Sequence, residues 1–161
     1  MLNLYLLRHG KAANPEKYDS DYERPLNKKG IVQINQIGYK LQTQGNQIDQ
    51  LIFSSALRTK ETAQIANHYL GINNILYSKE LYLARQEDIQ NYIRKNAESS
   101  SLLYVGHNFG ISDFASYLAG EMYALSTGML IHFQFECDSW DEITQGSGTV
   151  IEAFPPNIYL P

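Results

Sequence analysis

Cysteine is almost absent from this chain: Cys137 stands alone, so no internal disulfide can form, and no Cys/His cluster shows zinc-ligand spacing. Stability must come from a packed core, and a reducing, cytoplasmic setting fits. Basic charge is also scarce, with 13 Lys and Arg against 17 Asp and Glu for a net charge of -4. That excludes the extended basic field that a nucleic acid or an anionic membrane surface requires, so any anion site must be local. Long apolar runs are missing too. The first, Leu2 to Leu7, begins at once, lacks a basic leader and ends at Arg8 and His9, too short for a signal peptide or a membrane span. There is no internal repeat, linker or low-complexity tract. What is present, 161 residues of which 43% are hydrophobic, is enough for one globular domain over residues 1–161.

Strand and helix patterns alternate along it. Leu2–Leu7 reads as a strand buried on both faces that stops at Gly10, and Lys11–Leu26, with Asn14-Pro15 and Arg24-Pro25, reads as a surface excursion beside its end. Asn27 can cap a helix to about Gln44, with Ile31, Ile34, Ile37 and Leu41 on one face and Gly45 beyond its end. Gln50–Phe53 is a short strand, after which Ser54 or Ser55 can cap a helix through Tyr69, its apolar side formed by Leu57, Ile65 and Tyr69. A third strand is expected at Ile75–Tyr77, a helix at Glu87–Lys95, a buried strand at Leu102–Val105 and a helix at Ile111–Ala119. From Gly128 onward, Leu130–Glu136 and Thr149–Phe154 read as an antiparallel addition closed by Pro155-Pro156.

Alternation of this kind implies right-handed crossovers, hence an α/β three-layer sandwich with a mainly parallel central sheet, helices on both faces and a C-terminal antiparallel addition. Such sheets bind ligands at the carboxyl ends of their strands. The residues there are Arg8-His9-Gly10, Ser54 to Arg58, and Gly106-His107-Asn108. Guanidinium forks match phosphate oxygens, and neutral imidazole can serve as nucleophile or hydrogen-bond donor. Arg58 falls in the first turn of its helix, where the macrodipole disfavours a cation; an anion bound there would remove the conflict.

These residues resemble the signatures of a known family. Leu6-Leu7-Arg8-His9-Gly10-Lys11-Ala12, Ser54-Ser55-Ala56-Leu57-Arg58 with Thr62, and Gly106-His107-Asn108 look like the motifs of the histidine phosphatase superfamily. The short chain, Arg24-Pro25-Leu26 and Thr127-Gly128 are similar to its SixA-type phosphohistidine phosphatases. The resemblance implies a phosphoglycerate mutase-like fold and metal-independent catalysis without a cofactor. It implies His9 as nucleophile, Arg8 and Arg58 as phosphoryl ligands, and His107 and Asn108 completing the pocket. Physical chemistry agrees: a phosphoryl-transfer state spreads charge over three oxygens, and fixed positive charge stabilises it. Two departures stand out. Larger members place an acid in an L-x-E pattern that here reads Leu81-Tyr82-Leu83, and SixA-type proteins commonly have proline where this chain has Phe109.

The acid's absence favours a phosphohistidine-bearing protein, such as a histidine phosphotransfer domain, over a small phosphate ester. The alternatives are a general phosphomonoesterase using Glu80 or Glu87 as acid, and a phosphate- or phosphohistidine-binding module without turnover. Arg24 has two readings, a surface loop charge or an auxiliary phosphate contact. Glu16, Asp19, Asp21 and Glu23 mix with Lys17 and Arg24 without cage spacing and read as a solvated loop rather than a metal site. His68 reads as solvated on its helix, and His132 as solvent-facing on its strand.

Overall fold

The apolar runs form one sheet. In the computed structural model, which describes residues 1–156, they are β1 (Leu2–Arg8), β2 (Gln50–Ser54), β3 (Asn74–Ser78), β4 (Ser101–Gly106), β5 (Leu130–Phe135) and β6 (Thr149–Phe154). The helices are α1 (Lys28–Thr43), α2 (Leu57–Leu70), α3 (Gln86–Asn96) and α4 (Gly110–Ala119). Positions 157–161, the end of the expected domain, lie outside the described residues. Strand order is β3-β2-β4-β1-β5-β6, with the first four parallel, β5 antiparallel to β1 and β6 antiparallel to β5. The chain is therefore the expected α/β sandwich with a C-terminal antiparallel addition.

The two-residue period of each strand divides the core. Leu2, Leu4 and Leu6 pack with Tyr104, Phe133 and residues of α3 and α4, among them Ile89 and Phe114. Tyr5 and Leu7 pack on the other face with Phe53, Val105 and residues of α1 and α2, among them Ile34 and Ala63. Leu4, Leu6 and Leu7 are fully buried, and each such side chain contributes about 1.5–3 kcal/mol. Because α1 leaves β1 on one face and α4 leaves β4 on the other, a crevice opens where their carboxyl ends lie side by side, at the register pair Arg8 and Gly106.

Local chemistry explains most boundaries. Asn27 Oδ1 caps α1 by accepting from the Gly30 N–H at 2.8 Å. Ile34, Ile37 and Leu41 face the core as their spacing predicts, but Ile31 is exposed, because Gly30 takes the inward position of that turn. A Cβ on Gly30 would lie 2.2 Å from the Lys11 carbonyl oxygen, so the helix start touches the loop after β1 backbone to backbone.

Three expectations need correction. Neither Ser54 nor Ser55 caps α2: its N-cap position is Ala56, without a side-chain hydrogen bond. The buried residues of α2 are Arg58, Thr59, Thr62, Ala63 and Ala66, while Leu57, Ile65 and Tyr69 are only half-buried, so the helix lies on the sheet by its small residues. His132 is not simply solvent-facing. It pairs across strands with Tyr5, stacks on that ring at 4.0 Å between centroids, and hydrogen bonds Asn3 Oδ1 at 2.8 Å. His68 is exposed, as expected.

Gly30→Ala sets about 1 kcal/mol of helix propensity against overpacking of a backbone contact, typically about 1–3 kcal/mol and here at the severe end. Equilibrium urea unfolding should show a net loss of stability; an unchanged or raised midpoint would contradict this account of the close approach.

Candidate active site

Three adjacent strands, β2, β4 and β1, end at one cavity of about 290 Å³ lined by Arg8, His9, Lys11, Ala12, Arg24, Arg58, Leu83, His107, Asn108 and Thr127. A larger depression of about 440 Å³ lies beside Leu2, Ser100 and Trp140, at the amino ends of β1 and β4, and contains no imidazole. The carboxyl edge is thus where the chemistry gathers.

His9 follows β1 directly and is held on both sides of the peptide. Its N–H donates to Gly106 O at 3.1 Å, and its carbonyl accepts from the Gly128 N–H at 2.9 Å. The ring is 7% exposed, and Nδ1 lies 2.7 Å from Gly10 O. A carbonyl can only accept, so Nδ1 carries the proton and the Nε2 lone pair accepts a long hydrogen bond from Arg58 Nε at 3.4 Å, at the cavity. Burial pushes the His9 imidazole down to about 4; the Gly10 hydrogen bond opposes this, while Arg58, Arg8 and Arg24 add to it. At neutral pH the ring is uncharged.

Arg58 is 3% exposed and points its Nε at His9 Nε2, 3.4 Å away. Its two terminal nitrogens donate to Asp21, Nη1 to the backbone O at 2.7 Å and Nη2 to Oδ2 at 2.8 Å. The anion expected beside this first-turn cation is therefore already present within the chain. Asp21 Oδ1 also accepts from Arg24 Nη1 at 2.9 Å, and Oδ2 from the Tyr82 hydroxyl. Tyr82 and these two arginines outweigh the partial burial of Asp21 and hold its carboxyl far below the usual carboxylate range. Asp21 is consequently an ion-pair hub as well as the exposed loop residue expected of it.

His107 is 2% exposed, its ring 5.4 Å from that of His9 and 5.5 Å from that of Tyr82. Nε2 lies 2.8 Å from Ser54 Oγ, which itself accepts from the Ala56 N–H at 3.3 Å. A hydroxyl has one proton and two lone pairs, so Ser54 can serve either tautomer of this ring, whose Nδ1 is buried with no partner in the protein. Burial, then the charges of His9 and Arg58, push this imidazole down to about 2.

Arg8 Nη1 and Asn108 Nδ2 both donate to Leu125 O, at 2.9 and 3.1 Å, and Asn108 Oδ1 accepts from Ser112. Asn108 is thus held by protein groups at both ends of its amide. Arg24 lines the cavity but directs Nε and Nη2 to Ala13 O at 3.0 and 2.9 Å. Glu80 and Glu87 are exposed and absent from the lining, where Leu83 is found instead, at φ 50. Sequence alone assigns no role at this site to the side chains of Ser54, Asp21 and Tyr82. The one available signal was Asp21 three residues before Arg24, a spacing that suits an ion pair. Among the described residues no group of three or more His, Cys, Asp and Glu side chains is arranged to hold a metal ion, and no helix is long and apolar enough to cross a membrane.

Neutral imidazoles beside the buried Arg58 and the half-buried Arg8 and Arg24, at the switch point of an α/β sheet, have the chemistry to receive a phosphoryl group. The sequence model of the histidine phosphatase superfamily (branch 1) matches residues 4–82. An uncharacterised chloroplast protein of Arabidopsis thaliana is 31% identical over 159 residues, covering 90% of this chain and 72% of its own. The crystal structure of SixA from Agrobacterium tumefaciens superposes with a TM-score of 0.83 at 25% identity, covering 96% of this chain and 98% of that one. The protein histidine phosphatase SixA complexed with tungstate gives 0.82 at 20% identity, covering 96% and 97%. The chain belongs to the histidine phosphatase superfamily, and family and fold together support phosphatase chemistry.

Both buried imidazoles have folded pKa values below their unfolded value of about 6.5, so the unfolded chain binds more protons between those limits. Their contribution to stability is fully present above about pH 6.5 and is lost as pH falls, through about 4 for His9 and toward about 2 for His107. Urea unfolding from pH 7 to pH 4 should show a loss on the order of 2–3 kcal/mol per imidazole. The slope should flatten when both are replaced by glutamine, and an unaltered slope would show that neither ring is held neutral.

Proposed function

We propose that the chain hydrolyses phosphohistidine borne on a protein, through a phosphorylated His9. The observation that carries this reading is the cavity lining: among its residues there is no Asp or Glu, and Leu83 stands where the family resemblance would put a proton donor. General acid catalysis is typically worth about 100- to 10,000-fold, and an alkoxide leaving group needs it. The P–N bond of phosphohistidine is labile, and imidazole leaves readily once it takes a proton from water.

In this reading His9 Nε2 attacks phosphorus, the P–N bond to the substrate imidazole breaks, and the leaving nitrogen is protonated by solvent. Water then attacks the phosphorylated His9, its P–N bond breaks, phosphate departs and Nε2 regains its lone pair. Arg8 and Arg58 fix the phosphoryl oxygens, and the unpartnered His107 Nδ1, in the tautomer protonated there, donates to them as charge develops. Arg24 contributes charge rather than a free fork, and Asn108 places the Leu125 carbonyl that orients Arg8. No metal or cofactor takes part.

A partner protein, such as a histidine phosphotransfer domain, is favoured by exposed apolar side chains beside the cavity: Leu83 in its lining is 51% exposed, and Phe109, next in sequence to the lining residue Asn108, 81%. Tungstate, a tetrahedral oxyanion like phosphate, is bound by the SixA of the same fold. The general phosphomonoesterase reading loses its donor, since Glu80 borders a separate depression with Leu81 and Tyr92, and Glu87 is exposed. The lone Cys137, with no disulfide to maintain, supports a cytoplasmic site of action.

Initial rates on a phosphohistidine carrier domain and on p-nitrophenyl phosphate, with excess chelator, test the proposal. Wild type should prefer the carrier and resist the chelator, and His9→Ala should lose about 1000-fold or more; preference for the aryl ester would overturn the reading. Leu83→Glu should raise the rate on an alkyl phosphate by about tenfold or more while the carrier rate changes little. No gain on the ester would show that the missing acid does not set the substrate.

A further inference from the structure

Arg58 and Arg24 share one carboxylate, and the way Asp21 holds Arg58 bears on transfer rather than on folding alone. A guanidinium has two edges that can grip an oxyanion: the end bearing Nη1 and Nη2, and the side bearing Nε and Nη2. Asp21 occupies the first, with its backbone O on Nη1 at 2.7 Å and Oδ2 on Nη2 at 2.8 Å. The Nε edge faces the cavity, where its N–H donates to His9 Nε2 at 3.4 Å and would pass to a phosphoryl oxygen when the group is received there. Tyr82 fixes the same Oδ2 through its hydroxyl and stands edge-on to His107, while Arg24 fixes Oδ1. Asp21 itself lies outside the cavity lining.

We infer that Asp21 is a positioning residue that withholds the terminal fork of Arg58 from the bound phosphoryl group and presents the Nε edge to the point of transfer. This rests on the phosphoryl-transfer reading above. An unrestrained guanidinium would take phosphate end-on through two parallel N–H bonds, gripping substrate, transition state and product alike. Uniform binding of that kind lowers KM without raising kcat. Held from behind, Arg58 cannot follow the phosphorus as it moves, so its charge stays where the transition state needs it. Asp21 also offsets one of the three guanidinium charges around neutral imidazoles, leaving the site matched to a dianion instead of over-retaining it. Its carboxyl, ionised well into the acid range, keeps that arrangement across physiological pH.

Asp21→Asn and Asp21→Ala separate this role from simple support of the fold. The measurements are kcat and KM on whichever substrate the wild type turns over, and the dissociation constant of inorganic phosphate by titration calorimetry. Expected is a fall in kcat of about tenfold or more, with KM no higher than wild type and phosphate bound at least as tightly, most clearly in the near-isosteric Asp21→Asn. A smaller loss of kcat, or phosphate binding that weakens along with it, overturns the inference. A wild type that hydrolyses an ester and not phosphohistidine defeats the substrate assignment alone, since the Asp21 comparison is then read on the ester.

Discussion

The parallel pairing of β1 with β4 is the constraint on which the rest depends. Its last register pair, Arg8 with Gly106, sets the next residues, His9 and His107, side by side, and the His9 N–H closes the gap by donating to Gly106 O. Both strands are buried on both faces, so neither can slip by one residue without turning its apolar set away from the core it packs against. The relative position of the two imidazoles is therefore fixed by the hydrophobic core rather than by contacts within the site. Arg58 joins them because β2 lies on the other side of β4 and its helix begins at the same edge.

Around that frame, burial and charge act together. The two imidazoles lose solvent and stay neutral, which conserves the lone pair on His9 and the donor on His107. Charge is supplied by guanidiniums, which remain ionised when buried. Each guanidinium has a backbone carbonyl among its acceptors: Leu125 O for Arg8, Ala13 O for Arg24, Asp21 O for Arg58. Loops far apart in sequence are consequently tied to the pocket by its own cations, and Gln33 adds a further tie by accepting from the Lys11 N–H and donating to Thr127.

Strand order aside, most of the fold was legible in the sequence, since two-residue alternation and helix caps are local signals. Leu2–Leu7 and Leu102–Val105 read directly as strands because both their faces are apolar. That Arg8, His9, Arg58 and His107 would line one cavity was legible for the same reason: each closes, immediately follows or closely follows such a run. What could not be read is what depends on distant partners. Ser54 carries the local signature of a cap, yet its hydroxyl turns to His107, 53 residues away. Asp21 belongs to a charged loop until Arg58, 37 residues on, arrives to meet it. His132 alternates as a surface residue would, and only its register opposite Tyr5 covers it. Ile31 fits the periodicity, but backbone contact at Gly30 rotates the helix start away from the spacing rule.

Placing His9 at the tip of the central, doubly buried strand has a consequence for how the molecule comes apart. Fraying termini and mobile loops open at little free-energy cost, whereas core strands exchange their amide hydrogens only through global opening. The hydrogen bond from His9 N–H to Gly106 O extends the pairing of β1 with β4 by one residue. The imidazole of His9 therefore keeps its place only while that central pair of strands stands.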